Sequence, residues 1–92
     1  MLMIILESPP RSLKGELSRY LMEPKAGVFL GHVSALVRDA LWEKCKSKIR
    51  DGGAILIYSY PTEQGFKVDT CGTLTREIID HEGLYFVRKP FD

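Results

Sequence analysis

The first strand-like segment of the chain ends in a carboxylate, Glu7, and two prolines follow at positions 9 and 10. A strand-end carboxylate can bind Mg²⁺ through its oxygens, and metal-dependent nucleases usually cluster two or more such groups. No second acidic residue lies near Glu7 in sequence, so a metal site would need the Glu7 of a second subunit. The alternative is a polar strand-end or helix-capping residue, which the residues alone favour.

Basic residues lie close to the same region of the sequence. Arg11 and Lys14 open the first predicted helix, and Arg76 lies in the loop after an alternating strand. These positions suit contacts with nucleic-acid phosphates, which displace condensed counterions without reading base sequence. For any single one of these residues, a solvated charge that only aids solubility is the simpler interpretation.

The composition limits the classes of partner. The chain has 92 residues and a formal net charge of +1. This charge argues against a general polyelectrolyte binder, so any contact with nucleic acid must come from local patches or be shared with a basic partner. No apolar run approaches the length of a membrane span, so no membrane association is expected. Cys45 and Cys71 lack metal-site spacing and are expected as free thiols, which predicts a cytoplasmic protein.

Periodicity and breaker residues predict the elements that must position these groups. In order they are strand 1–6, helix 13–22, strand 26–33, a helix capped by Ser34 and ended at 51–53, strand 54–60 and strand 66–71. Residues 72–83 are predicted as a connection, and 84–91 as a final short strand or docking tail. Val37, Leu41, Cys45 and Ile49 form the apolar stripe of the second helix.

This order predicts an α+β fold, a ferredoxin-like sandwich with two helices on one face of an antiparallel sheet. The chain is long enough for one domain, with a core that buries only about 60–65% of the unfolded surface. The second face of the sheet is expected to remain apolar and open. A homodimer packed through that face would cover it.

Three segments carry a resemblance to a known family. They are ESPP at 7–10, AGVFLGHVSALVRDALWEK at 26–44 and TEQGFKVDTCGTLTRE at 62–77. The chain resembles the CRISPR adaptation protein Cas-two of the type I-E subfamily over essentially its whole length. The distinctive parts are the glycine-bracketed strand leading into Ser34, the mid-helix Trp42, and the hairpin followed by GTLTR.

The resemblance implies a ferredoxin-like homodimer that sits between two dimers of the CRISPR integrase. There the small subunit holds the middle of a double-stranded protospacer DNA during spacer acquisition in antiviral defence. Matching positions place phosphate contacts on Lys14 and Arg76, with Thr75 where a second arginine is common and Arg11 in the same region. Residues 1–77 are then the core, and 78–92 a C-terminal tail that docks on the integrase, plausibly by adding a strand.

The resemblance also implies an alternative function. Many relatives outside the subfamily end the first strand with an aspartate that binds metal across the dimer, and they are described as Mg²⁺-dependent endonucleases. Glu7 holds that position here, which makes it a candidate catalytic residue and Mg²⁺ ligand acting on RNA or DNA. The DNA-binding scaffold is the favoured hypothesis. A small-molecule sensor domain shares the predicted fold but has no supporting motif.

Overall fold

The computed structural model describes residues 1–89 and contains seven strands and two helices. In chain order these are β1 (Leu2–Glu7), α1 (Arg11–Leu17), β2 (Met22–Lys25), β3 (Val28–Gly31), α2 (Ala35–Lys48), β4 (Gly53–Ser59), β5 (Phe66–Gly72), β6 (Glu77–His81) and β7 (Leu84–Arg88). The end of the predicted tail, residues 90–92, lies outside the described residues. No helix in residues 1–89 is long and apolar enough to span a membrane.

The main sheet has five antiparallel strands in the order β2-β3-β1-β4-β5, and β6 pairs with β7 in a separate two-stranded sheet. The first four strands and two helices form the βαββαβ arrangement of the ferredoxin-like fold, with β5 added at one edge. The predicted α+β fold class is confirmed. Because the three inner strands, β3, β1 and β4, are paired on both sides, the register of the sheet is fixed at its middle.

Side chains alternate between the two faces of the main sheet. In β1, Leu2, Ile4 and Leu6 are buried beneath the helices, whereas Met3 and Ile5 are half-buried on the other face. The core also contains the following buried side chains from the helices and neighbouring strands: Leu13, Leu17, Leu21, Phe29, Leu41, Trp42, Cys45, Ile49, Ala54 and Leu56. The opposite face, here called the open face, carries the paired apolar residues Met3, Ile5, Val28, Leu30, Ile55, Ile57 and Val68.

Helix α2 follows its predicted pattern closely. The Ser34 side chain accepts a hydrogen bond from the backbone N–H of Val37 at 3.2 Å, which caps the helix as expected. Leu41, Cys45 and Ile49 are buried, and Trp42 packs beside them. The indole N–H of Trp42 donates to Asp69 of β5 at 3.0 Å, so the helix is tied to the sheet by a specific polar contact as well as by packing.

The predicted helix 13–22 is too long, because α1 ends at Leu17. Residues 22–25 instead form the edge strand β2, with Met22 opposite Leu30 and Lys25 opposite Val28. Pro24 is compatible with this strand, since it disfavours helical geometry at Glu23 and is tolerated in an edge strand, but its effect does not extend back to the helix end at Leu17. Leu21 is buried as its spacing suggested, but it reaches the core from the turn between α1 and β2.

The segment 72–83 was wrongly predicted as a connection, because Glu77–His81 forms strand β6. The strand turns directly into β7 through Glu82 and Gly83, which both have positive φ, at 53° and 83°. Two such residues match the backbone twist of a tight hairpin. The predicted final short strand is confirmed as β7.

Candidate nucleic-acid interface

Glu7 begins a row of three residues that cross the main sheet. It pairs with Gly53 of β4, which pairs in turn with Gly72 of β5. Paired residues direct their Cβ positions to the same face, so no side chain stands beside Glu7 on the open face. A Cβ added to Gly53 would lie 2.2 Å from the carbonyl oxygen of Thr73 and 2.7 Å from the side chain of Leu74. The chain after β5 therefore crosses directly over the glycine row towards Glu7.

This crossing brings Thr75 onto the Glu7 carboxylate. The backbone N–H of Thr75 donates to Glu7 Oε1 at 2.8 Å, and its hydroxyl donates to Oε2 at 2.7 Å. The backbone N–H of Thr73 also donates to the carbonyl of Gly52 at 2.9 Å, which fixes the start of the crossing. We call residues 73–76 the crossing segment. Both carboxylate oxygens of Glu7 thus accept hydrogen bonds from a residue 68 positions away in sequence.

The donor set around Glu7 does not make a magnesium site within one chain. Mg²⁺ in proteins is held by oxygen ligands, generally more than one carboxylate or a carboxylate with substrate phosphates. Across residues 1–89, no group of three or more His, Cys, Asp or Glu side chains is placed to hold a metal ion. Glu7 is the single carboxylate of the glycine row, and its partner Thr75 is a hydrogen-bond donor to it.

The fold brings several chain ends to the same end of the main sheet as Glu7. β1 finishes there at Glu7, so the next element, α1, begins there with Arg11 exposed. The strand directions place the β2–β3 turn there as well, and the backbone N–H of Leu6 donates to Gly27 of that turn at 2.7 Å. We call this region the Glu7 end. Arg11, Lys14, Thr75 and Arg76, the predicted phosphate-contacting residues, all belong to elements that start or finish at this end.

The predicted basic residues differ in their contacts. Lys14 forms an ion pair of 3.1 Å with Glu23 of β2, which also accepts the backbone N–H of Gly27 at 2.8 Å. The Gly27 hydrogen bond and then Lys14 lower the pKa of Glu23. Arg11 and Arg76 are exposed, and among the described residues neither forms an ion pair. Their guanidinium groups are therefore available to external anions, whereas Lys14 must leave Glu23.

Arg76 lies at an open cavity of about 290 Å³ at the Glu7 end. The cavity is also lined by Thr70, Gly72, Leu74, Glu77 and Ile78. It is bounded by the end of β5, the crossing segment and the start of β6. The position of Arg76 therefore depends on how the crossing segment is held.

Two further basic residues reach the same end without having been predicted as phosphate contacts. Lys25 finishes β2, and Arg50 follows α2 with a positive φ of 57°. Both are exposed. In sequence each lies just before a glycine-containing turn, and only the strand order shows that these turns share one end of the sheet. By contrast, Lys44 and Lys48 of α2 contact Glu16 of α1, at 3.3 Å and 2.9 Å.

The β6–β7 hairpin contacts the main sheet through Gln64 and Phe66. The Gln64 side chain accepts the backbone N–H of Tyr85 at 2.6 Å and donates to the Tyr85 carbonyl at 3.1 Å. The rings of Tyr85 and Phe66 stack with centroids 6.1 Å apart. Phe86 and Val87 remain more than half exposed. The hairpin thus presents apolar side chains at the edge of the sheet where the docking tail was predicted.

Most of the chain matches a known protein family. A sequence model described as CRISPR-associated protein (Cas_Cas2CT1978) matches residues 1–86. The chain belongs to this CRISPR-associated family. The match covers both the five-stranded sheet and most of the β6–β7 hairpin. It supports the predicted Cas-two resemblance at the level of the family and indicates a role in a CRISPR system.

Proposed function

We propose that this chain is the DNA-holding scaffold subunit of a CRISPR adaptation complex of the type I-E kind. In this role two copies pack through the open face and hold a double-stranded protospacer for the partner integrase during spacer acquisition. The observation that carries the proposal is the Glu7 end, which gathers exposed basic residues around a carboxylate whose two oxygens are already hydrogen-bonded. Such an arrangement binds phosphates better than it binds a metal ion.

The homodimer in this proposal is supported by the open face. Its paired apolar side chains, among them Met3, Ile5 and Ile57, are only half-buried in the single chain. Apolar faces of this kind generally mark an interaction surface. Packing two such faces together would place two Glu7 ends in one particle, which doubles the number of basic groups that one duplex can contact.

Docking on the integrase is supported by the β6–β7 hairpin. Exposed Phe86 and Val87 supply apolar contact area, and β7 has no strand partner on its outer edge among the described residues, where the Gln64 side chain binds the backbone of Tyr85 only. An unpaired strand edge can accept a strand from a partner protein.

The test is co-purification with the integrase of the same locus, followed by capture of a fluorescently labelled DNA duplex at graded NaCl concentrations. Each lost phosphate contact should lower the slope of log affinity against log salt by about 0.9. We expect this loss for Lys14→Ala and for Arg76→Ala. Lys67→Ala is the matched control, because Lys67 pairs with Tyr58 at the opposite end of the sheet and lies over the ring of Tyr60.

The same preparation separates the scaffold from the nuclease alternative. Glu7→Gln removes the carboxylate charge but retains hydrogen-bonding capacity towards Thr75. A scaffold captures the duplex equally well with this variant. The nuclease alternative predicts that the purified protein cleaves RNA or DNA in the presence of Mg²⁺ and that Glu7→Gln abolishes this cleavage. That result would instead assign catalysis and metal binding to Glu7. Equal salt slopes for wild type, Lys14→Ala and Arg76→Ala would refute the proposed phosphate contacts.

A further inference from the structure

Glu7 is the carboxylate that contacts the crossing segment, although its charge opposes phosphate binding. The structure gives it a different contact: both of its oxygens accept hydrogen bonds from Thr75, at 2.8 Å and 2.7 Å. Thr75 directly precedes Arg76, and the segment that carries both passes closely over Gly53, which has no side chain. No ion pair within residues 1–89 holds Arg76 itself.

We infer that Glu7 is a positioning residue, which holds the crossing segment through Thr75 so that the Arg76 guanidinium is directed to a DNA phosphate. This inference rests on the proposed function, because it assigns a role to Glu7 within DNA binding. An arginine whose backbone is fixed before binding loses less conformational entropy on contact. The two hydrogen bonds supply that fixation at the last residue before Arg76.

The geometry requires acceptor atoms at position 7 and does not require negative charge. A glutamine side chain can accept the Thr75 N–H with its carbonyl oxygen and can donate its amide to the Thr75 hydroxyl, which also has acceptor lone pairs. Alanine at position 7 provides neither contact. Glu7→Gln and Glu7→Ala remove the same charge, so the difference between them isolates the hydrogen bonds from electrostatic repulsion.

The experiment measures duplex affinity and its salt slope for the full-length protein and five variants. These are Glu7→Gln, Glu7→Ala, Thr75→Val, Arg76→Ala and the double variant Glu7→Ala/Arg76→Ala. We expect Glu7→Gln to bind at least as tightly as wild type, and Glu7→Ala to bind about threefold to tenfold more weakly than Glu7→Gln. Thr75→Val removes only the hydroxyl hydrogen bond and keeps the backbone one, so it should weaken binding relative to wild type, but by less than Glu7→Ala does relative to Glu7→Gln. In the Arg76→Ala background, Glu7→Ala should have no further effect on the salt slope.

Hydrogen exchange of the Thr75 amide gives a second readout that needs no DNA. The amide should be protected in wild type and in Glu7→Gln, and should exchange faster in Glu7→Ala. If exchange follows this pattern but Glu7→Ala and Glu7→Gln bind DNA equally, the positioning role is wrong while the scaffold function stands. If the wild-type protein, alone and with its integrase, fails to bind duplex, the proposed function fails and the role of Glu7 in it fails too.

Discussion

Replacing Gly53 by alanine should displace the crossing segment and destabilise the fold. An added Cβ would lie 2.2 Å from the Thr73 carbonyl oxygen, whereas ordinary contacts lie at 3.4 Å or beyond. The obstacle is backbone, so the chain over Gly53 must move by about 1 Å, and overpacking of this kind costs about 1–3 kcal/mol. Since the φ of Gly53 is not in the left-handed region, the effect is steric and not conformational.

The assay is urea denaturation at a fixed protein concentration, with thermal unfolding as a second measurement. A loss of about 2 kcal/mol should lower the melting temperature by about 10 °C in a domain of this size, with little change in the denaturant m-value. Duplex binding should weaken in the same variant, because the moved segment carries Arg76. Gly15→Ala is the matched control: its Cβ would meet nothing within 4 Å, and alanine in α1 should stabilise by about 1 kcal/mol. Wild-type stability and wild-type DNA binding in Gly53→Ala would refute the close crossing over the glycine row.

Three further results are expected. Burial raises the pKa of the Cys45 thiol to about 12, so Cys45 should resist iodoacetamide in the native protein near pH 8. Half-buried Cys71 should be alkylated first, and peptide mass spectrometry can show which cysteine has reacted. The Glu16 pKa is lowered from 4.5 by lysine hydrogen bonds, so its contribution to stability is present above that value and is lost as the pH falls below it. In Glu16→Gln, the urea midpoint should therefore fall less on acidification than in wild type. An equal fall of the urea midpoint in both proteins would contradict this. Ile5→Lys on the open face should convert a dimer to a folded monomer in sedimentation equilibrium, whereas Leu36→Lys at an exposed helix position should not.

Local signals made most of the fold predictable. Ser34 lies three residues before Val37, the spacing at which a side-chain oxygen can cap a helix, and the structure has that hydrogen bond. Leu21 shows the limit of such reasoning. Its spacing after Leu17 is helical, yet Leu21 lies in the turn that follows α1. Its side chain is buried because a residue in a turn can also direct its side chain into the core. Pro24, a residue type that often follows a helix end, belongs here to an edge strand.

The candidate site was predictable only in part, for a physical reason. Arg11 and Arg76 could be selected from sequence because exposed basic residues after strands and at helix starts are local features. The contact between Glu7 and Thr75 spans 68 positions and depends on Gly53 pairing with Glu7 and Gly72 pairing with Gly53 in the sheet. Neither glycine has a sequence motif that indicates the pairing. The contacts of the Glu7 carboxylate depend on the register of the strands and on the path of the crossing segment, and not on residue type.

The distribution of ion pairs bears on how a nearly neutral chain would hold DNA in the proposed function. Glu23 engages Lys14, and Glu16 engages two lysines of α2, so part of the positive charge is already neutralised within the chain. Arg11, Lys25, Arg50 and Arg76 at the Glu7 end keep their charge for external anions, but four such groups per chain release few counterions from DNA. Binding strong enough to retain a duplex therefore needs several chains acting on it together. The proposed pair of chains joined through the open face, together with a basic partner, would meet that requirement without a large net charge on the single chain, which would oppose its folding.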